Sequence, residues 1–188
     1  MAPVFSARDE ARVLATTRRW LERAVIGLPL CPFAKAVHVK GQIRSIVSAA
    51  ETPEALLEDL ERELRALIAA DAESVDTTLL IHPHALADFL DFNDFLAVAD
   101  RALVELGLEG QLQIASFHPD YCFADSEPSD PANNSNRAPY PILHLLREAS
   151  VSRALEGFPA PDSIYQENIA RLRALGTDGW RRLLADPD

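Results

Sequence analysis

Apolar positions along the chain fall into two rhythms, a repeat of three and four residues and short runs of strand length. Val13, Leu14, Leu21, Ala24 and Val25 form one stripe, opened by Ser6 with Asp9 three residues later and stopped by Gly27 and Pro29, so the spacing predicts a first helix. Gln42 to Ala49 alternates loosely around Ile43, Ile46 and Val47 and reads as a partly exposed strand. Thr52 then offers an N-cap and Pro53 a first helical residue, and Leu56, Leu60, Leu64, Leu67 and Ile68 recur at helical spacing. Thr77 to Ile81 is an unbroken β-favouring run, the mark of a central strand covered on both faces. Phe89, Phe92, Leu96, Ala99, Leu103 and Leu106 predict a third helix that Gly107 ends, and Leu112 to Phe117 a third strand.

Beyond that strand the pattern stops. Residues 119–141 form a long loop rich in Asp, Asn, Ser and Pro, and a structureless stretch of that length inside a domain is functional or disordered. Helical spacing resumes with Ile142, Leu145 and Leu146, on a helix that would carry His144 and Arg147, and again from about Val151. Asp162 is placed to cap a last helix bearing Ile164, Ile169, Leu172 and Leu175, with Trp180 and Leu183 docking the tail. The order gives two βαβ steps and hence an α/β fold: a small three-stranded parallel sheet packed by about five helices, in one domain spanning 1–188. The rival is α+β, with one strand reversed.

Composition narrows the partners more than the fold. With 48% apolar and 25% charged residues the chain has ample material for a core. Its 29 acidic against 18 basic side chains give a formal net charge of −11, a field that repels nucleic acid and anionic membranes while leaving room for a local basic pocket that takes a small anion. No stretch has the length of a membrane span and the first residues carry no apolar secretion signal, so a cytoplasmic address in a bacterium-like cell is expected. Two cysteines, Cys31 and Cys122, are too few for a disulfide framework or an all-cysteine zinc site and are expected to be reduced. No cofactor is clearly implied.

Three segments hold candidate chemistry. In Leu28 to Lys35, Pro32 suits the first position of a helix, which would put Cys31 at an N-cap where amide dipoles favour a thiolate; burial as a small apolar side chain is the structural alternative. A pair of His-Pro steps, at His82 and His118, follows the second and third strands. In parallel strands both leave one edge of the sheet, where open α/β folds bind ligands, and Asp120 could orient a ring. A metal is not expected; His82 and His118 are its weak candidates, since the spacing matches no strong ligand motif. The third segment runs from Asn133 to Pro141, where Arg137 with Asn134, Asn136, Tyr121 and His144 could recognise a carboxylate or phosphate.

The Cys31-Pro32-Phe33-Ala34 turn resembles the active-site turn of omega-class glutathione transferases and, less its second cysteine, of glutaredoxins. Those folds set the turn between a strand and a long helix, whereas here an amphipathic helix precedes it. A broader likeness joins Leu30 to Ala34, Asp76 to Pro83, Phe117 to Tyr121, Asn136 to Pro141 and His144 to Glu148, and resembles the bacterial family called domain of unknown function 1415 over about Thr16 to Leu184. The resemblance implies no activity. It leaves Cys31, His118, Asp120, Asn136 and Arg137 matching the family's motifs, and disfavours a Cys31 to Cys122 dithiol because the family often lacks the second cysteine. The leading expectation is a site for a small anionic ligand at the carboxyl edge of the sheet, lined by His82, His118, Asp120, Asn136 and Arg137, with His118, Asp120 and Cys31 as candidate catalytic residues. The alternatives are a Cys31-based thiol oxidoreductase or transferase, and a non-catalytic interaction domain whose long polar loop and Phe-rich third helix present a partner surface, for which exposure of Phe89, Phe92 and Phe95 would be the mark and their burial the mark of core.

Overall fold

The computed structural model describes residues 6–156 and 161–185, the side chains of 161 and 162 apart. Helix α1 (Ala7–Trp20) opens on a capping box in which the Ser6 hydroxyl accepts from the Asp9 amide while the Asp9 carboxylate accepts from the Ser6 amide. It continues as a π-helical turn over Leu21–Ile26 before Gly27. A short helix α2 (Ala34–Val39) leads into strand β1 (Ile43–Val47). Helix α3 (Pro53–Ala69) is capped by Thr52 and begins with proline; strand β2 (Thr77–Ile81) is buried at every position. Helix α4 (Phe89–Glu105) is capped by Asp88, and Gly107, at φ 68°, turns the chain toward strand β3 (Leu112–Phe117). A 3-10 turn (Pro131–Ser135), strand β4 (Ile142–Arg147) and helices α5 (Glu148–Glu156) and α6 (Pro161–Leu184) complete the chain.

The mixed α/β architecture stands, and the sheet departs from the expected one. It has four strands in the order β1-β2-β4-β3, with β1 and β2 parallel and β4 antiparallel to both neighbours. Residues Ile142 to Arg147 were expected on a helix. Six residues of nearly unbroken apolar character fit a strand or a helix equally by periodicity, and what decides is the gap between β2 and β3, whose backbone groups need partners. Strand β3 still points the same way as β1 and β2, but β4 lies between, so the all-parallel three-stranded sheet is corrected to a mixed one. Among the described residues six α-helices replace the expected five. The cap expected at Asp162 concerns a side chain outside the described residues.

Strand alternation sorts the core into two clusters. Leu80, Leu112, Leu143 and Leu145 face α3 and α4, packing on Leu56, Leu60, Leu64, Phe92, Phe95 and Leu103. Leu79, Ile81 and Ile142 face the other way, toward Val13, Trp20, Ala24 and Val25 of α1 and its extension, with Trp180 of α6 at the margin. Phe92 and Phe95 are buried and Phe89 is half-buried against His118 and Tyr121, so α4 offers no exposed aromatic patch for a partner.

Candidate functional site

The topology brings His82 and His118 to the same edge of the sheet, because β2 and β3 run in the same direction on either side of the antiparallel β4. Their rings pack on the single ring of Phe92, with centroids 5.6 and 5.1 Å away. Neither reaches a cleft, for both are fully buried. His82 Nδ1–H donates to the Ala85 carbonyl at 3.0 Å, leaving Nε2 a buried acceptor without a partner, and burial pushes its pKa down to about 4. His118 Nδ1 accepts from the Asp120 amide at 3.0 Å, which fixes the proton on Nε2, and that N–H donates to the Leu86 carbonyl at 3.2 Å. Burial lowers its pKa too, against the pull of the Leu86 carbonyl. Leu86 sits in the left-handed region at φ 57°, so the His118 bond holds a backbone turn that leucine disfavours. Asp120 contributes its amide while its residue stays exposed, and Tyr121 rests on Phe89 at 5.1 Å, its phenol pKa raised by burial. No group of three or more His, Cys, Asp or Glu side chains able to hold a metal occurs among the described residues.

The 119–141 loop is ordered by its own polar side chains. Asn133 is buried, accepting from the Phe123 amide and donating to the Glu127 carbonyl. Asn136 donates to the Ser116 carbonyl, and its own carbonyl accepts from the His118 amide. Arg137 Nε donates to Tyr121 O and Nη2 to Pro128 O, both at 2.9 Å, so half of its fork braces the loop. Asp130 clamps the loop to α6 through Arg173, which keeps the Asp130 carboxyl at about 2. Where this loop meets α1 and α6 a cleft of about 390 Å³ opens, and Arg19, Arg137 and Arg181 line it with Asn134, Trp20 and Trp180. Two expected residues, Asn134 and Arg137, are therefore at this cleft; His82, His118, Asp120 and Asn136 do not line it.

His144 lies elsewhere. In mid-β4, paired in register with Leu79 and Ala115, it faces the second side of the sheet, where helices α1, α2 and α5 leave a cavity of about 510 Å³. Cys31 is on the wall of that cavity, half-buried. It is not an N-cap: the Ala34 amide closes a turn on the Cys31 carbonyl with Pro32 at the second position, and α2 starts only at Ala34 after Phe33. The turn also joins two helices, so the strand that precedes it in thiol oxidoreductases is missing. Cys122 is free and directs its thiol at the Phe123 and Ser126 carbonyls.

Sequence reasoning missed Arg19 and Arg181. A signal existed: Arg19-Trp20 near the end of the first helix and Trp180-Arg181 in the last are mirrored pairs in an acidic chain. Only the closeness of the two helix ends gives the pairs meaning. Residues 12–182 match a family model described as Protein of unknown function (DUF1415). No curated protein matches the chain, and no solved structure does.

Proposed function

Since the chain belongs to the family of unknown function DUF1415, whose description carries no activity, we propose a function from geometry: the protein binds a small carboxylate- or phosphate-bearing molecule in the arginine-lined cleft. The observation that carries this reading is the convergence of Arg19, Arg137 and Arg181 on one cleft in a chain of net charge −11. Spreading acidic side chains over the surface while gathering guanidinium groups at one concavity creates a local attraction for anions against a repulsive background. Arg137 holds its guanidinium in place by donating from Nε and Nη2 to backbone carbonyls, so a pre-ordered positive charge sits at the cleft wall. Arg181 meets Asp178 at 3.4 Å in a largely exposed pair, a weak contact that a ligand oxyanion can displace. The half-buried indole of Trp180 at the cleft wall favours a planar body next to the anionic group, with Trp20 buried behind it.

The anionic ligand expected from sequence is kept, and its site moves off the buried histidines onto the face shared by the loop, α1 and α6. Calorimetric titration at low ionic strength with inorganic phosphate and phenyl phosphate tests it. Phenyl phosphate is expected to bind more tightly, with an affinity that falls as salt rises and drops roughly tenfold or more in Arg181→Gln, the loss of one charged hydrogen bond. Affinity unchanged in an Arg19→Gln, Arg181→Gln double variant contradicts the reading.

A further inference from the structure

We propose that the cavity on the second face of the sheet is a separate binding site, for an elongated uncharged molecule whose hydroxyl group is received by His144 Nδ1. The cavity, about 510 Å³, lies within the size range of small-molecule sites, and its walls are almost wholly apolar, with Val25, Leu79, Phe117, Leu146 and Val151 among them. Space exists because β3 presents only Ala115 beside His144, with Ala154 of α5 opposite the strands. In such surroundings an imidazole in the middle of a central strand is costly unless its polar atoms are used.

One ring nitrogen is used. The Thr77 hydroxyl donates to the Leu145 carbonyl at 2.7 Å and so must accept, at 2.6 Å, the proton of His144 Nε2–H. That relay leaves Nδ1 as the acceptor. It has no partner among the described groups and is not among the sealed, unpaired polar atoms, so its remaining access is to the cavity that the ring lines. A ring locked in this tautomer recognises a donor, the property of an alcohol and not of an ether, ketone or carboxylate. Burial keeps the imidazole neutral down to about pH 4, so the acceptor persists through the physiological range.

Charge complementarity argues in the same direction. No lysine or arginine lines the cavity among the described residues, whereas Asp76 does, which disfavours an anionic head group. At the neighbouring recess Lys40 and Arg153 are balanced by Glu73 and Asp76. Apolar walls of this kind hold water poorly, so an alkyl chain has little to displace.

The test uses the full chain with 1-octanol, its methyl ether and octanoate as probes, read by displacement of the neutral dye Nile red at pH 7. Octanol is expected to bind roughly tenfold more tightly than the ether, the difference of one hydrogen bond in an apolar site, and octanoate more weakly than either. His144→Leu should keep ether binding and lose the preference for the alcohol, and Val151→Trp, at the cavity wall, should abolish all binding. In a Cys122→Ser background octanol should slow alkylation of Cys31, which locates the ligand. A shift of the His144 Nδ1 resonance on adding octanol to the unmodified protein serves where a variant does not fold. Equal affinity for alcohol and ether, octanoate binding as tightly as octanol, or no protection of Cys31 would overturn the proposal.

Discussion

His82 and His144 hold their imidazoles neutral at a cost that pH reveals. Burial depresses both to about 4, below the unfolded value near 6.5, so the unfolded chain binds more protons in between. The stability that rests on their neutral forms is complete above about pH 6.5 and is lost as pH falls toward 4. Asp130 titrates near 2 and stays charged through that window. The urea midpoint is therefore expected to fall steadily from pH 7 to pH 4, and His144→Leu to flatten the fall; a flat wild-type profile counts against burial of the neutral rings. His118 works differently, because both of its nitrogens fasten loops. His118→Ala is expected to cost on the order of 1–3 kcal/mol by freeing the Leu86 carbonyl and the Asp120 amide, measured as a shift in denaturation midpoint at pH 7. From the sequence the shared edge of the two histidines was legible, because a strand followed by His-Pro fixes where the ring leaves the sheet. Their burial was not: it depends on Phe92 of α4 lying between them, a contact between elements far apart in the chain.

Helix ends show how elements are tied by single side chains. Arg147, at the end of β4, donates to the Leu67, Ala70 and Val75 carbonyls, closing the C-terminus of α3 where unpaired carbonyls carry partial negative charge. Arg147→Ala is expected to destabilise the fold by roughly 1–3 kcal/mol, and Arg147→Lys to recover only part, since a point ammonium cannot span carbonyls that a planar fork reaches. Full recovery by lysine, in a thermal melt, would assign the effect to charge alone. Capping signals were the most readable feature of the chain: Ser6, Thr52 with Pro53, and Gly107 bound their helices as local chemistry dictates. Strand β4 was the least readable. Its leucines satisfy a helical repeat too, and the choice rests on β2 and β3 as hydrogen-bonding partners, which no local pattern encodes. The N-cap expected at Cys31 was misplaced for a subtler reason, as a proline after cysteine opens a turn as well as it opens a helix.

At the scale of the whole molecule, the sheet has one face closed by α3 and α4 and one only partly closed, and both candidate sites lie on the less covered side. Trp20 is a wall of each, its indole N–H donating to the Arg137 carbonyl and its ring meeting Phe117 edge-on at 5.2 Å. The net charge of −11 makes the arginine cleft an exception to its own surroundings, which is why an anion should find it. Both tryptophans of the chain line that cleft, so intrinsic emission reads its occupancy with no label. Titrating the protein with phenyl phosphate at low salt, while following tryptophan fluorescence, tests the central claim most directly. A saturable change that weakens with added salt and disappears in the Arg19→Gln, Arg181→Gln variant is the predicted result; emission that does not respond, or that responds equally in the variant, would contradict it.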